Sequence, residues 1–429
     1  MATDRSPADP PPAKRGKESS SNTTVASLGH DLVLEIFLRL PSLATLVRAA
    51  FTCHAWRRAE ATSPDFRRRF REIQPNPPIG YDPVADVRAL GLPAFPSFVH
   101  ALGPDKDQAA AAVRGGDFLL TSFQELPGGP HGWEVHDCRG GHVLLGNGDL
   151  GRMAVLNPMA RRILRFFDFG HEGTLEGHRG FPVAHKASLL CDDEDPASFR
   201  VVIMAHDESR VRATVFSSDT GEWSVLPWVD APVPAQNHFD RSNWLQGSNN
   251  MQGSGSLFRV CTDGSYLLTL DSATMEFSFA VLPWAVRCHL ASNLCVGETK
   301  NGTPCLVYAC YSYRVGVFLR RTDSDGVGRW MQDRVVALDT QLGNIKKRYS
   351  TLKVVAVIHG YAYLATSTDH HNYITPYWIF SLCLETMKVE KAFQRTYERA
   401  VHPCVLAWPP SLLNGNDKSF APEDAREVA

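Results

Sequence analysis

The chain has 429 residues, 44% of them hydrophobic and 10% aromatic, which is enough apolar material for two or three globular domains. Its 44 basic and 46 acidic residues give a net charge of −2, so we expect neither nucleic acid nor a membrane surface as a partner. Ten cysteines without a Cys-x-x-Cys pair are typical of reduced thiols. Residues 1–27 lack the apolar core of a signal peptide, and no run approaches the length of a membrane span. These features predict a cytoplasmic or nuclear protein.

The most densely apolar stretch comprises residues 28–58. Within it, Leu32, Ile36 and Leu40 recur at four-residue steps, which is the pattern of an amphipathic helix. Pro41 ends this helix because proline lacks a backbone N–H and clashes with the preceding turn. A second apolar helical set follows, made of Leu43, Leu46, Val47, Ala50, Phe51, Cys53 and Trp56. A unit of this size is too small for a core of its own, so we expect it to need a partner surface.

The order of residue types in this stretch resembles a known docking module. Leu-x-x-x-Leu-x-x-Glu-Ile-Phe-x-Arg-Leu-Pro is followed by Leu-x-x-Leu and then by Thr-Cys-x-x-Trp-Arg. This order is similar to the F-box, by which substrate adaptors dock on a Skp-type protein in cullin-based ubiquitin ligases. The resemblance implies an adaptor-binding surface made of Leu28, Leu32, Ile36, Leu40, Pro41, Leu43, Leu46, Val47 and Trp56. The family usually has proline where this chain has Gly29, so we expect a looser helix start and weaker docking.

The composition divides the chain into five segments. Residues 1–25 predict a disordered tail, residues 26–72 the F-box, residues 73–110 a stiff proline-rich connector, residues 111–412 a β domain and residues 413–429 a second disordered tail. The last helix of the F-box segment is predicted to open at Ser63–Phe66. The fold class is thus α+β multidomain: a small N-terminal all-α module followed by an all-β domain.

The β domain is predicted from short apolar runs separated by turn residues. Thirteen runs are strand candidates: His142–Leu145, Met153–Leu156, Ile163–Phe167, Phe199–Met204, Arg212–Phe216, Leu257–Val260, Tyr266–Leu270, Cys305–Ala309, Val315–Leu319, Val354–Ile358, Tyr361–Ala365, Trp378–Leu382 and Cys404–Trp408. Residues 218–228 are echoed at 272–284 and more weakly at 384–389, with steps near the period of about 50 residues of kelch-type blades. We therefore predict a kelch-like β-propeller with five or six blades. This layout also resembles plant F-box proteins whose C-terminal half is a propeller-like associated domain.

No residues form a recognisable catalytic, metal or cofactor motif, so the site prediction names no catalytic residue, no metal ligand and no cofactor. A recognition surface is better suited to propeller loops, which can vary on a rigid ring. The longest predicted loop, residues 230–256, contains aromatic and arginine side chains of the types that dominate binding energy. Its candidate target-binding residues are His238, Phe239, Arg241 and Trp244. The alternative for Trp244, that its ring packs on the sheet, is equally compatible with the sequence.

Three functions remain open at this point. The favoured one is a non-catalytic substrate-recognition adaptor of a Skp–cullin–F-box E3 ubiquitin ligase, which binds the Skp-type adaptor through the F-box and an unknown protein target through the β domain. The first alternative is a propeller scaffold or binding protein outside any ligase, whose helices pack on its own sheet. The second is an enzyme built on a propeller, which predicts a central pocket lined by carboxylates.

Overall fold

The structure is a computed structural model. It describes residues 29–40, 49, 64–73, 78–82, 97–99, 117, 132–158, 161–169, 171–191, 198–232, 244–245, 250–287, 293–310, 313–326, 328–343, 351–367, 377–395 and 402–405. The predicted tails at 1–25 and 413–429 lie outside these residues. No helix in the described ranges is long and apolar enough to cross a membrane.

Two helices near the N-terminus, α1 (His30–Leu38) and α2 (Pro64–Ile73), pack on each other. Their shared core consists of Val33, Phe37, Leu38, Phe66 and Phe70. The ring of Phe37 lies edge-on to that of Phe66, with 6.4 Å between the centroids. α2 begins within the predicted segment, and its first residue is a proline, which suits the first turn of a helix because its N–H would be unpaired there.

The C-terminal part of the chain is a five-bladed β-propeller, as the strand spacing predicts. Each blade is an antiparallel sheet; four have four strands, and the second has six because its inner and outer positions are each divided between two short strands. The strands of blade 1 are β3 (Trp133–Arg139), β4 (His142–Asn147), β5 (Arg152–Asn157) and β6 (Arg162–Asp168). Those of blade 2 are β7 (Val183–Ala184), β8 (Ser188–Cys191), β9 (Phe199–His206), β10 (Arg210–Ser217), β11 (Trp223–Val225) and β12 (Val229–Asp230).

The remaining three blades repeat the regular four-stranded meander. Blade 3 contains β13 (Met251–Gly253), β14 (Ser256–Val260), β15 (Tyr266–Asp271) and β16 (Phe277–Val281). Blade 4 contains β17 (Leu294–Glu298), β18 (Pro304–Cys310), β19 (Arg314–Thr322) and β20 (Gly328–Ala337). Blade 5 contains β21 (Thr351–Ile358), β22 (Tyr361–Ser367), β23 (Tyr377–Cys383) and β24 (Val389–Arg395). Three one-turn helices lie between blades or sheets: α3 (His171–Thr174), α4 (Trp284–Arg287) and α5 (Asp339–Leu342).

One further sheet joins the two ends of the chain. Its strands are β1 (Pro78–Asp82), β2 (Ser97–Val99) and β25 (His402–Val405), in the order β2-β1-β25. β1 is antiparallel to both neighbours, with Gly80 opposite Val99 on one side and Pro403 on the other. Two strands therefore lie within residues 73–110, the segment that the sequence predicts as a proline-rich connector. Prolines beside these strands hid them from a sequence search, since proline is typical of loops and strand ends.

The internal similarity between residues 218–228, 272–284 and 384–389 corresponds to one structural position. It is the hairpin between the last two strands of a blade, seen in blades 2, 3 and 5. Gly221, Met275 and Met387 each donate their backbone N–H to the carbonyl four residues earlier and have φ of 74°, 57° and 55°. Glycine adopts this left-handed conformation without strain, whereas a methionine there must be held by its surroundings.

The core lies between adjacent blades. The largest cluster joins blades 3, 4 and 5, and two smaller clusters join blade 1 to blade 2 and blade 2 to blade 3. Near the axis the backbones themselves touch: a Cβ on Gly253 of β13 would lie 2.7 Å from the carbonyl carbon of Gly297 in β17. Blades 1 to 5 are therefore packed against one another in an unbroken series, which gives the loops a rigid support.

Candidate functional site

The N-terminal helix α1 has apolar residues on two faces, of which one is packed and the other is exposed. Val33 and Phe37 are buried against α2. On the other face Leu32 is 59% exposed and Ile36 is 45% exposed. An ion pair also joins the helices at the surface, with 3.0 Å between Arg69 Nη1 and Glu35 Oε1, while the buried core orients α1 with this apolar row outward. The row is thus available to another protein surface.

The predicted adaptor-binding set is only partly covered by the described residues. Leu32, Ile36 and Leu40 lie within them, and Leu40 is half-buried just beyond the end of α1. The other predicted residues, which lie outside the described ranges, are Leu28, Pro41, Leu43, Leu46, Val47 and Trp56. Gly29 is the N-cap of α1, with φ of −62° and no side-chain cap. Proline fixes φ near this value, so the backbone at this position would also accommodate a proline.

A second exposed apolar set lies at one end of the propeller. In an antiparallel four-stranded blade, the second hairpin and the connection to the next blade lie at the same end, which we call the loop face. Phe181 and Trp284, in the connections after blades 1 and 3, are 74% and 76% exposed. Leu150 in a blade 1 hairpin and Val281 at the end of β16 are also exposed there. The segment that contains the predicted target-binding residues leaves blade 2 at this same face.

Trp244 is the one predicted target-binding residue in the described ranges, and it is buried. Its side chain is 8% exposed and packs with Val211, Leu245, Cys261 and Leu268. The indole Nε1 donates to the carbonyl of Asp207 at 2.7 Å. The structure therefore favours the packing alternative for this residue and removes it from the target-binding set.

The other three predicted target-binding residues, His238, Phe239 and Arg241, lie outside the described ranges. The sequence reasoning missed Phe181 and Trp284, although Trp284 lies in the echo of residues 218–228. At the same position of blade 2, Trp228 is covered. Its ring lies under the guanidinium groups of Arg210 and Arg212, 5.0 and 4.6 Å from the ring centroid, and its Nε1 donates to the carbonyl of Glu176.

A difference in the neighbouring strand explains why Trp284 is exposed. In blade 2, Arg212 lies two residues before Thr214, which pairs with Val225. In blade 3, the residue that pairs with Val281 is Tyr266, and two residues before it is Gly264. Glycine has no side chain to lie over the indole, so blade 3 lacks the cover that an arginine provides in blade 2.

Polar groups join blades 1, 2 and 3 close to the axis. Asn250 donates through Nδ2 to the carbonyls of His136 and Ala187, at 3.0 and 2.7 Å. Its Oδ1 accepts from Arg259 Nη2 at 2.7 Å. The carboxylate of Asp137 accepts the backbone N–H groups of Cys138 and Leu189. These bonds link the first strands of blades 1 and 2 to blade 3.

Burial sets the ionisation of this axial cluster. It lowers the pKa of the Arg259 guanidinium to about 10, although the nearby Asp137 carboxylate acts in the opposite direction. Burial also raises the pKa of Asp137, against the attraction of Arg139 and two backbone N–H donors. Because these groups are buried and make hydrogen bonds from one blade to another, their arrangement suits structural linkage of the blades.

Buried histidines mark the same interblade region. Burial lowers the pKa of His136 to about 4, and Nδ1 of this residue accepts the backbone N–H of Ala187 at 3.1 Å. His185 lies against His206, with 2.8 Å between Nε2 and Nδ1. Among the described residues, no three His, Cys, Asp or Glu side chains are grouped as a metal site would require.

Comparison with known proteins identifies a related family. The family described as "F-box protein AT5G49610-like, beta-propeller" matches residues 134–412, about two thirds of the chain. No curated protein matches the sequence.

Similar solved structures include the β-propeller domain of Cps50 (Swd1) from Myceliophteria thermophila. It has 10% identity over 64% of this chain and 76% of that chain, with a TM-score of 0.36. TolB from Acinetobacter baumannii has 10% identity over 74% of this chain and 65% of that chain, with a TM-score of 0.32.

Proposed function

Because the chain belongs to the family of F-box protein AT5G49610-like β-propellers, we propose that it is a substrate-recognition adaptor of a Skp–cullin–F-box ubiquitin ligase in the cytoplasm or nucleus. In this role residues 26–72 form the F-box and bind a Skp-type adaptor, which connects the chain to the cullin. The propeller binds a protein target. Such a subunit acts by proximity, because it raises the concentration of the target near the ubiquitin-conjugating enzyme and supplies no acid, base or nucleophile itself.

The observation that supports this proposal best is the exposed apolar row of α1. Leu32 and Ile36 lie one turn apart on the exposed face beside the helix core, where they match two positions of the F-box pattern. Burying each side chain from its present exposure stabilises a complex by about 1 kcal/mol. An aspartate at either position also leaves a carboxylate to be desolvated in the interface, at a further cost of a few kcal/mol.

Co-purification with a Skp-type adaptor tests the proposal. The full-length chain should retain the adaptor, and the double substitution Leu32→Asp with Ile36→Asp should weaken binding at least 100-fold. The matched control is Met331→Asp with Val335→Asp, two exposed apolar residues of the outer strand β20. This control adds the same charge to the propeller and should leave adaptor binding unchanged.

Two results would contradict the adaptor role. One is a wild-type chain, folded by its circular dichroism, that retains no adaptor; this result favours the scaffold alternative. The other is adaptor binding that the α1 double substitution and the β20 control reduce to the same extent.

The loop face is the proposed surface for the protein target. Exposed aromatic side chains on a rigid support bind at a low entropy cost, and Phe181 and Trp284 are of this type. Proteins captured by the wild-type chain should be lost when both residues are changed to serine. Met331→Ser, an exposed position on the outer strand β20, is the control. Equal capture by the double variant and the wild type would place the target elsewhere.

A further inference from the structure

The innermost strands of the propeller follow one rule. After the outermost strand of a blade, the chain crosses to the first strand of the next blade, and the first strands of neighbouring blades lie against each other. β3 contacts β8 in this way, β13 contacts β17, and β17 contacts β21. Each first strand is then paired with an antiparallel second strand, and that second strand with a third.

β25 obeys this rule although it belongs to none of the five blades. It follows β24, the outermost strand of blade 5, after six residues, and it lies against β3, the first strand of blade 1. It is therefore placed as the first strand of a blade between blade 5 and blade 1. Its partner in the sheet is a strand from the other end of the chain.

β1 and β2 supply a second and a third strand from the other end of the chain. β1 pairs with β25 from Pro78 opposite Val405 to Tyr81 opposite His402, and β2 pairs with the free side of β1. We infer that β25, β1 and β2 form a sixth, composite blade that closes the ring between blade 5 and blade 1. Residues 78–82 and 97–99 thus belong to the propeller, although they precede the family match at residues 134–412.

Ring closure explains the need for this sheet. Without β1, β25 would have an unpaired edge with free N–H and C=O groups beside blade 1.

The closure also limits the position of the N-terminal helices. Only residues 74–77 separate α2 from β1, so the end of the helix lies within about 18 Å of the ring, whatever the path of these residues. The helices are thus attached to the propeller by a short segment, and this conclusion does not depend on a ligase role.

A nicked chain tests the composite blade. A specific protease site is inserted after Lys106 in the full-length chain, the folded protein is cleaved completely, and the products are passed through a gel-filtration column. We expect the fragment that carries β1 and β2 to elute together with the fragment that carries blades 1–5 and β25. Separation of the two fragments under native conditions would overturn the inference.

Two proline substitutions identify the contact that holds the fragments together. Tyr81→Pro removes a donor from the central strand of the sheet and should release the N-terminal fragment, whereas Phe98→Pro lies on the edge strand β2 and should not. Retention of the Tyr81→Pro fragment would show that other contacts hold it and would refute the composite blade.

Hydrogen exchange of the intact wild-type chain gives an independent test. The most protected of the amides of His402, Cys404 and Val405 should exchange at least tenfold more slowly than in the unfolded chain, and lack of protection at all three would refute the pairing.

Discussion

The buried histidines of blade 1 predict that acid destabilises the propeller. His136 and His142 have side chains enclosed by the first two blades, and burial lowers the pKa of each to about 4 from an ordinary value of 6.5. In the unfolded chain both rings take up a proton at about pH 6.5. In the folded chain they remain neutral until the pH is near 4. Between these values the unfolded chain therefore binds more protons, so the free energy of unfolding falls as the pH falls.

The size of this effect follows from the two pKa values. Lowering the pH from 7.5 to 4.5 removes about 2.5 kcal/mol of stability per histidine, or about 5 kcal/mol for both. A loss of this size is a large part of the total stability of an ordinary domain, which is about 5–15 kcal/mol. Burial lowers the pKa of His185 in the same direction, which adds to the loss.

Urea unfolding followed by tryptophan fluorescence at four pH values between 7.5 and 4.5 measures the effect. His142→Gln should reduce the loss of stability over this range by about 2.5 kcal/mol, whatever its effect at pH 7.5. His178→Gln is the control, because His178 is exposed on the connection after blade 1. If the wild type and His142→Gln lose the same stability between pH 7.5 and 4.5, burial of His142 is not the cause.

Three further predictions concern the helix start, the ring and the axial cluster. Gly29→Pro should slow hydrogen exchange of the α1 amides about two- to fivefold, since φ of −62° suits proline and the unfolded chain loses freedom. Gly297→Ala should lower stability by about 1–3 kcal/mol in urea unfolding, because its Cβ would overlap the backbone carbonyl of Val357; Gly148→Ala, with open space around it, should be neutral. Asn250→Ala removes two hydrogen bonds to blades 1 and 2 and one to Arg259 of blade 3, and it should cost about 3 kcal/mol in the same assay.

The middle strands of the blades could be predicted from the sequence because they are buried on both faces. β4, β9, β14, β15 and β18 are runs of valine, leucine, isoleucine and phenylalanine, and each was a strand candidate. Such runs are typical of sheets covered on both sides. The blade period was visible for the same reason, since the turn residues that separate these runs recur with the blades.

The first strands of blades 1 to 4 were missed because their sequences serve contacts between blades, whereas β21 of blade 5 was a candidate as Val354–Ile358. β3 contains His136 and Asp137, whose side chains bind the backbone of blade 2, and β13 and β17 contain Gly253 and Gly297, where the backbones meet. Polar residues and glycine are poor strand formers by propensity, so tertiary contacts decide these strands.

The candidate site shows the same limit in a single pair of residues. Val225–Trp228 and Val281–Trp284 have the same sequence, Val-Leu-Pro-Trp, and the first valine is exposed in both blades. The two tryptophans differ because Arg212 lies over one, whereas Gly264 occupies the matching place beside the other. Arg212 and Gly264 are separated from their tryptophans by 16 and 20 residues, and only the strand register brings each pair together. A repeat therefore predicts where a side chain lies in a blade, but its exposure depends on the residue that the neighbouring strand places over it.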